Sequence, residues 1–219
     1  GIDADVLGVY PLKETFLRSN VSPNEIDEVI VGCCGQPAHA ANVGRVIALR
    51  AGIPKEVPAI TVHRNCASGM EAISTGAQRL LLGDADIVAT VGVESMSNYP
   101  LLFGTEMKRF FEQLSRAKTL AQRVKVFSSF RLRYLKPVIA LQLGLTDPVC
   151  NLIMGKTAEN ISREFKITRE EQDQFSLDSH LNALAAQEAG RFDDEIIPVQ
   201  VPYKYDQTVT EDNGPREGQ

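Results

Sequence analysis

What constrains this chain most is an alternation running through its first hundred residues, where short β-branched apolar runs trade places with helical periodicity. "VLGVYPLKETFLRS" (Val6–Ser19) has helical spacing, and Pro11 is expected to kink or restart it. "IDEVIVGCC" (Ile26–Cys34) reads as a buried strand, "NVGRVIALRAG" as a short helix closed by Gly52, and "VPAITV" as a second strand. "SGMEAISTGAQRLLLG" follows as a helix ended by Gly83, then "ADIVATVGV" as a third strand. Strands separated by helices must run parallel, because the crossover returns the chain to the same edge. The expected class is therefore α/β, a parallel-rich mixed sheet with helices on its faces.

After Pro100 the pattern changes. Between Thr105 and Lys136 lie nine basic residues (Lys108, Arg109, Arg116, Lys118, Arg123, Lys125, Arg131, Arg133 and Lys136) and two acids (Glu106 and Glu112). This segment carries +7 in a chain whose net charge is -5, leaving -12 elsewhere. Apolar residues at Phe110, Phe111, Leu114, Leu120, Val124, Phe127 and Leu132 allow one or two amphipathic helices with cationic outer faces. A loop around "GLTDP" precedes "GKTAENISREF" and the clearest helix, "ITREEQDQFSLDSHLNALAAQEAGRF", with a capping box at Thr168 and Glu171 and a stop at Gly190. From Tyr203 the tail is polar and completes no further element. The expected organisation is an α/β core over residues 1–100 and a mainly helical loop domain over 101–219, with a basic amphipathic insertion at about 105–136.

Length and composition bound the function. A chain of 219 residues, 43% hydrophobic and 23% charged, suits a soluble globular domain with a sizeable appendage. No apolar run approaches the roughly 18 residues of a membrane span, and no cationic-apolar leader opens the sequence. Cys33, Cys34, Cys66 and Cys150 show no metal-ligand spacing and read as reduced thiols of a reducing compartment. His39, His63 and His180 are too scattered to argue a metal site, so none is expected. The acidic balance gives no nucleic-acid footprint.

The chemical candidate is Cys66, where "ITV" gives way to "SGMEAI". At a helix N-terminus the first N–H groups lack partners and the dipole end is positive, which favours a thiolate. Ala67, Ser68 and Gly69 are small enough to let a carbonyl approach the sulfur and to let N–H groups face an oxyanion. At the carboxyl end of a parallel strand, such a turn is where ligands bind. The competing reading is inert packing, the usual fate of a free cysteine near a strand end.

Three motifs separate these readings. "NCASGMEAI", "LLLGDADIVATVGVESMSNYP" and "MGKTAENISREFKITREEQDQFSLDSHLNALAAQEAGRFDDEIIPV" together resemble the thiolase family of acyl-CoA acyltransferases, in that family's order. The resemblance runs from about Val21 to the end of the chain. The basic stretch more narrowly resembles the thiolase (β) subunit of fatty-acid β-oxidation trifunctional complexes. By this resemblance Cys66 is the nucleophile that takes the acyl group of a 3-ketoacyl-CoA as a thioester, with its own N–H facing the oxyanion, and coenzyme A is a substrate, with no metal or redox cofactor. A biosynthetic acetoacetyl-CoA thiolase, another condensing enzyme of this fold and a non-catalytic partner are the alternatives. Implied partners are acyl-CoA and CoA, a second copy in a dimer or tetramer, and a hydratase/dehydrogenase subunit. The implied compartment is the bacterial cytoplasm or the mitochondrial matrix.

The family's "HP-x-G", "NEAF" and "C-x-GGG" segments do not occur here, nor does its first strand with "RTPF". The chain is thus expected to be about the N-terminal half of a catalytic unit, inactive alone, with the C-terminal catalytic domain absent. His63 departs from the family, which has asparagine three residues before the nucleophile; strand alternation would put it on the opposite face from Cys66. Met154 resembles the methionine lining the family's acyl and pantetheine passage, the competing reading being a gap-filling core residue. Glu94 reads as structural support or as a general base. The segment at 105–136 reads as a solvated face, or as a surface for an anionic membrane or partner favoured by Phe110, Phe111, Phe127 and Phe130.

Overall fold

The chain enters as helix α1 (Ala4–Leu7) and, after a break at Gly8, continues as α2 (Val9–Ser19) in the computed structural model, which describes residues 1–201 and 207–218. Pro11 is not where the helix breaks. It sits in the first turn of α2, where a missing N–H leaves no hydrogen bond unmade. Leu12 and Phe16, four apart, form the buried face. Strand β1 (Glu28–Gly32) comes after it, then α3 (Val43–Ala51), whose first turn is capped by the Asn42 side chain accepting the Arg45 N–H at 3.2 Å. Strand β2 (Ala59–Val62), helix α4 (Ser68–Leu82) and strand β3 (Val88–Gly92) complete the alternation. Gly52 and Gly83 close α3 and α4 with positive φ of 94° and 74°.

The three strands form a parallel sheet in the order β2-β1-β3, with Ile30 opposite both Ile60 and Thr90. Being central, β1 is covered on both faces: Val29, Ile30 and Val31 are fully buried. Val29 and Val31 join a cluster with Leu12, Phe16, Val43 and Ile47 from α2 and α3. Alternation turns Ile30 and Thr90 to the other face, where Gly76 lets α4 settle onto Thr90. The start of β3 is fixed by Asp27, whose carboxylate accepts the Ile87 and Asp86 N–H groups at 2.9 and 2.8 Å; these bonds hold its pKa below the usual carboxylate range.

Beyond Asn98 the elements are β4 (Leu101–Phe103), α5 (Thr105–Arg116), α6 (Leu120–Ser128), β5 (Pro137–Ile139), α7 (Ala140–Gly144) and α8 (Met154–Phe165). Strands β4 and β5 pair antiparallel, and Thr119 with Gln122 forms a capping box that starts α6. Buried Phe110 is the hub here, with the rings of Phe111, Phe127 and Phe130 centred 5.9, 5.8 and 5.3 Å away. The chain then forms α9 (Arg169–Glu188) and a short antiparallel pair, β6 (Val199–Gln200) and β7 (Thr208–Val209). Of the polar tail read from Tyr203, residues 203–206 and 219 lie outside the described residues.

Two compact units result, Tyr99–Thr168 forming one and Gly1–Asn98 with Arg169–Gln219 the other. Helix α9 groups with the α/β elements of Gly1–Asn98. No helix among the described residues is long and apolar enough to cross a membrane.

Candidate active site

Three strand ends point the same way in a parallel sheet, so the residues just past Gly32, Val62 and Gly92 come together. Helix α4 starts at this edge, drawn close by glycine. A Cβ on Gly32 would lie 2.1 Å from the Ser68 carbonyl oxygen, and one on Gly92 would lie 3.2 Å from the Gly69 Cα. The backbones of Ser68 and Gly69 thus lie against Gly32 and Gly92, so their smallness serves helix–strand contact, while Ala67, next to Cys66, is exposed.

Cys66 lies between the end of β2 and the first residue of α4, and it is exposed. The turn that presents it is sharp. Asn65 takes a left-handed φ of 47°, the Ala67 N–H donates to the Arg64 carbonyl at 3.0 Å, and the Ser68 N–H to the Asn65 carbonyl at 3.0 Å. His63 is exposed too, and its Nδ1 accepts the Asn65 N–H at 3.4 Å. Because β2 stops at Val62, strand alternation does not carry through to Cys66 as expected; His63 belongs to the turn itself. Arg64 Nε pairs with Glu71 Oε2 at 2.9 Å, fastening the turn to the first turn of α4.

From the other two strand ends come Cys34 and Glu94. The Glu94 carboxylate accepts the Cys34 N–H at 2.9 Å and the Gly35 N–H at 3.0 Å, so its role here is to hold the chain leaving β1. The Cys34 Sγ donates to the Asn65 carbonyl at 2.7 Å and lies 3.4 Å from Ser68 Oγ. Ser68 Oγ also donates to the Asn65 carbonyl at 2.7 Å and accepts the Arg64 N–H at 2.9 Å. Burial pushes the Cys34 thiol above its ordinary pKa, with Glu94 and Cys66 adding to the rise while the Ser68 hydrogen bond opposes it. Burial, then Glu94 and Cys34, push Cys33 up to about 12. The three cysteines therefore differ in kind: Cys33 is sealed, Cys34 is a half-buried donor and Cys66 is open.

The other candidates lie elsewhere. Met154 opens α8 in the second unit and is about half exposed. In the basic segment Phe110 is core and packs its neighbours' rings, which leaves Leu120, Val124 and Phe127 of α6 as the exposed apolar stripe. Asp3, Asp5 and His39 bring three potential ligand atoms within 4.8 Å of one another, a convergence that sequence spacing concealed. Arg50 Nη1 already pairs with the buried Asp5 carboxylate at 2.7 Å, and Asn98 Nδ2 donates to Asp3 Oδ1 at 2.5 Å, so the group reads as an ion-pair network. A groove along α2 and β3 is lined by apolar and hydroxyl side chains with no titratable group.

Comparison with known proteins adds to this geometry. The sequence profile described as "Thiolase, N-terminal domain" matches residues 2–219. A probable acetyl-CoA acyltransferase of Staphylococcus epidermidis is 37% identical over 203 residues, covering 93% of this chain and 47% of the relative. The crystal structure of the Bacillus anthracis acetyl-CoA acetyltransferase superposes with a TM-score of 0.83 at 35% identity, over 100% of this chain and 50% of that one. Human mitochondrial 3-ketoacyl-CoA thiolase, solved in complex with CoA, gives a TM-score of 0.80 at 31% identity, again over 100% of this chain and 50% of that one. The chain spans about half the length of the curated relatives it matches.

Proposed function

The chain belongs to the thiolase family, spanning its N-terminal domain, and on that premise we propose that the whole protein is an acyltransferase whose nucleophile is Cys66. The observation that carries the reading is an exposed cysteine that follows left-handed Asn65, one residue ahead of the N-cap of a helix of 15 residues and at the carboxyl edge of a parallel sheet. The reaction is the thiolysis of a 3-ketoacyl-CoA. The Cys66 thiolate attacks the 3-keto carbon, and the resulting oxyanion is met by N–H groups, that of Cys66 among them. Collapse breaks the C2–C3 bond, releasing the acetyl-CoA enolate, which takes up a proton. Cys66 is left as an acyl thioester. A CoA thiol then gives up its proton, its sulfur attacks the thioester carbonyl, and the shortened acyl-CoA leaves with Cys66 restored as thiolate. Run backwards, the same steps are a condensation. Coenzyme A is a substrate throughout. The proton transfers are assigned to groups of the whole protein outside the motifs of this sequence.

The test is CoA-dependent consumption of 3-ketoacyl-CoA of increasing chain length by the whole protein. Turnover of medium and long chains is expected, and Cys66→Ala should lower kcat by more than roughly 10³-fold. Strict preference for acetoacetyl-CoA would assign the protein to two-carbon condensation instead. Full turnover by Cys66→Ala would remove the covalent reading.

A further inference from the structure

We propose that Cys34 is a positioning residue for Cys66, acting through the Asn65 carbonyl, and this rests on the reading of Cys66 as nucleophile. The Asn65 carbonyl and the Cys66 N–H belong to one planar peptide. Whatever fixes that oxygen also fixes the direction of the Cys66 N–H and the start of its side chain. Three donors converge on it: Cys34 Sγ at 2.7 Å, Ser68 Oγ at 2.7 Å and the Ser68 N–H at 3.0 Å. The two from Ser68 are local, three residues along the chain. Cys34 comes from another strand, 31 residues away, and is itself held by Glu94 from a third, since the Glu94 carboxylate accepts the N–H groups of Cys34 and Gly35. The result is a relay from the end of β3 to the end of β1 to the turn after β2. It joins the turn in which Asn65 takes a φ of 47°, a left-handed conformation that asparagine tolerates better than other residues with a Cβ.

A thiol donates only while protonated. Burial keeps the Cys34 thiol in that form, raising its pKa, so Cys34 serves as donor beside a cysteine that serves as nucleophile. A second nucleophile at this position would have to break the bond that orients the first.

In the whole protein, Cys34→Ala should lower kcat roughly tenfold with KM changed by less than about twofold, the pattern of a misplaced reacting group. It should also shift the pH profile for alkylation of Cys66 by iodoacetamide. Cys34→Ser, which keeps an O–H donor, should restore most of both. Ser68→Ala combined with Cys34→Ala should lose more than the product of the two single losses, because each single variant leaves a side-chain donor on the same carbonyl. A wild-type kcat and alkylation profile in Cys34→Ala would overturn the proposal, as would a Cys34→Ser variant no better than Cys34→Ala. The alkylation profile is read without turnover, so it stands apart from the activity of Cys66→Ala, which tests the assignment of the nucleophile.

Discussion

Cys33, Cys34 and Cys66 sit within one corner of the fold, yet their sulfurs meet different surroundings. Cys33 is fully buried, and with its pKa pushed up to about 12 its thiolate fraction at pH 8 is on the order of 1 in 10⁴. Cys66 is open to solvent before a helix. At pH 8, iodoacetamide followed by peptide mass spectrometry should therefore find Cys66 modified well before Cys33, with Cys33 reacting only on unfolding. Equal rates in the native protein would contradict the burial described here. The sequence placed Cys66 at the strand–helix junction because the two periodicities change there. It could not show Asn65 in a left-handed turn or Cys34 against its carbonyl, since both depend on strand ends far apart in sequence. Cys34 looked like buried strand alongside Cys33; it lies past the end of β1 and turns to the junction instead.

Elements were legible wherever periodicity was strong. The alternating strands and helices of the first hundred residues occur as read, and glycine at the ends of α3 and α4 marks where they stop. What propensity could not supply is how closely two elements approach. Gly32 ends β1 directly beneath the Ser68 carbonyl, with no room for a methyl group. Gly32→Ala must push the first turn of α4 away, and the turn carrying Cys66 with it. The expected outcome is a loss of about 1–3 kcal/mol in stability, the usual cost of overpacking, together with a fall in kcat larger than that of an equally destabilising core change such as Ile47→Val. Thermal unfolding and steady-state rates measured on both variants check this. Equal kcat in the two would mean that the helix–strand approach does not set the nucleophile's position. Pro11 teaches the same lesson in reverse, since a residue read as a helix breaker is harmless in a first turn.

At the scale of the molecule, the parallel sheet could be read directly, whereas nothing in the sequence marks α9 as grouping with the α/β elements. Periodicity in α9 announces a helix without saying what its apolar face meets. Phe175 and Leu181 are exposed, and no residue of α9 is buried among those described. Likewise, the aromatic residues of the basic segment are spent partly on one another, around Phe110. Family membership and the position of Cys66 support the central proposal, that this sulfur carries the acyl group from the 3-keto carbon of one substrate to the thiol of CoA. Its most direct test is to mix the whole protein with a 3-ketoacyl-CoA in the absence of free CoA, quench in acid and map the adduct by peptide mass spectrometry. An acyl group on Cys66 is expected, lost on adding CoA with formation of the shortened acyl-CoA; an unmodified Cys66, or an acyl group on another residue, would overturn the assignment of the nucleophile.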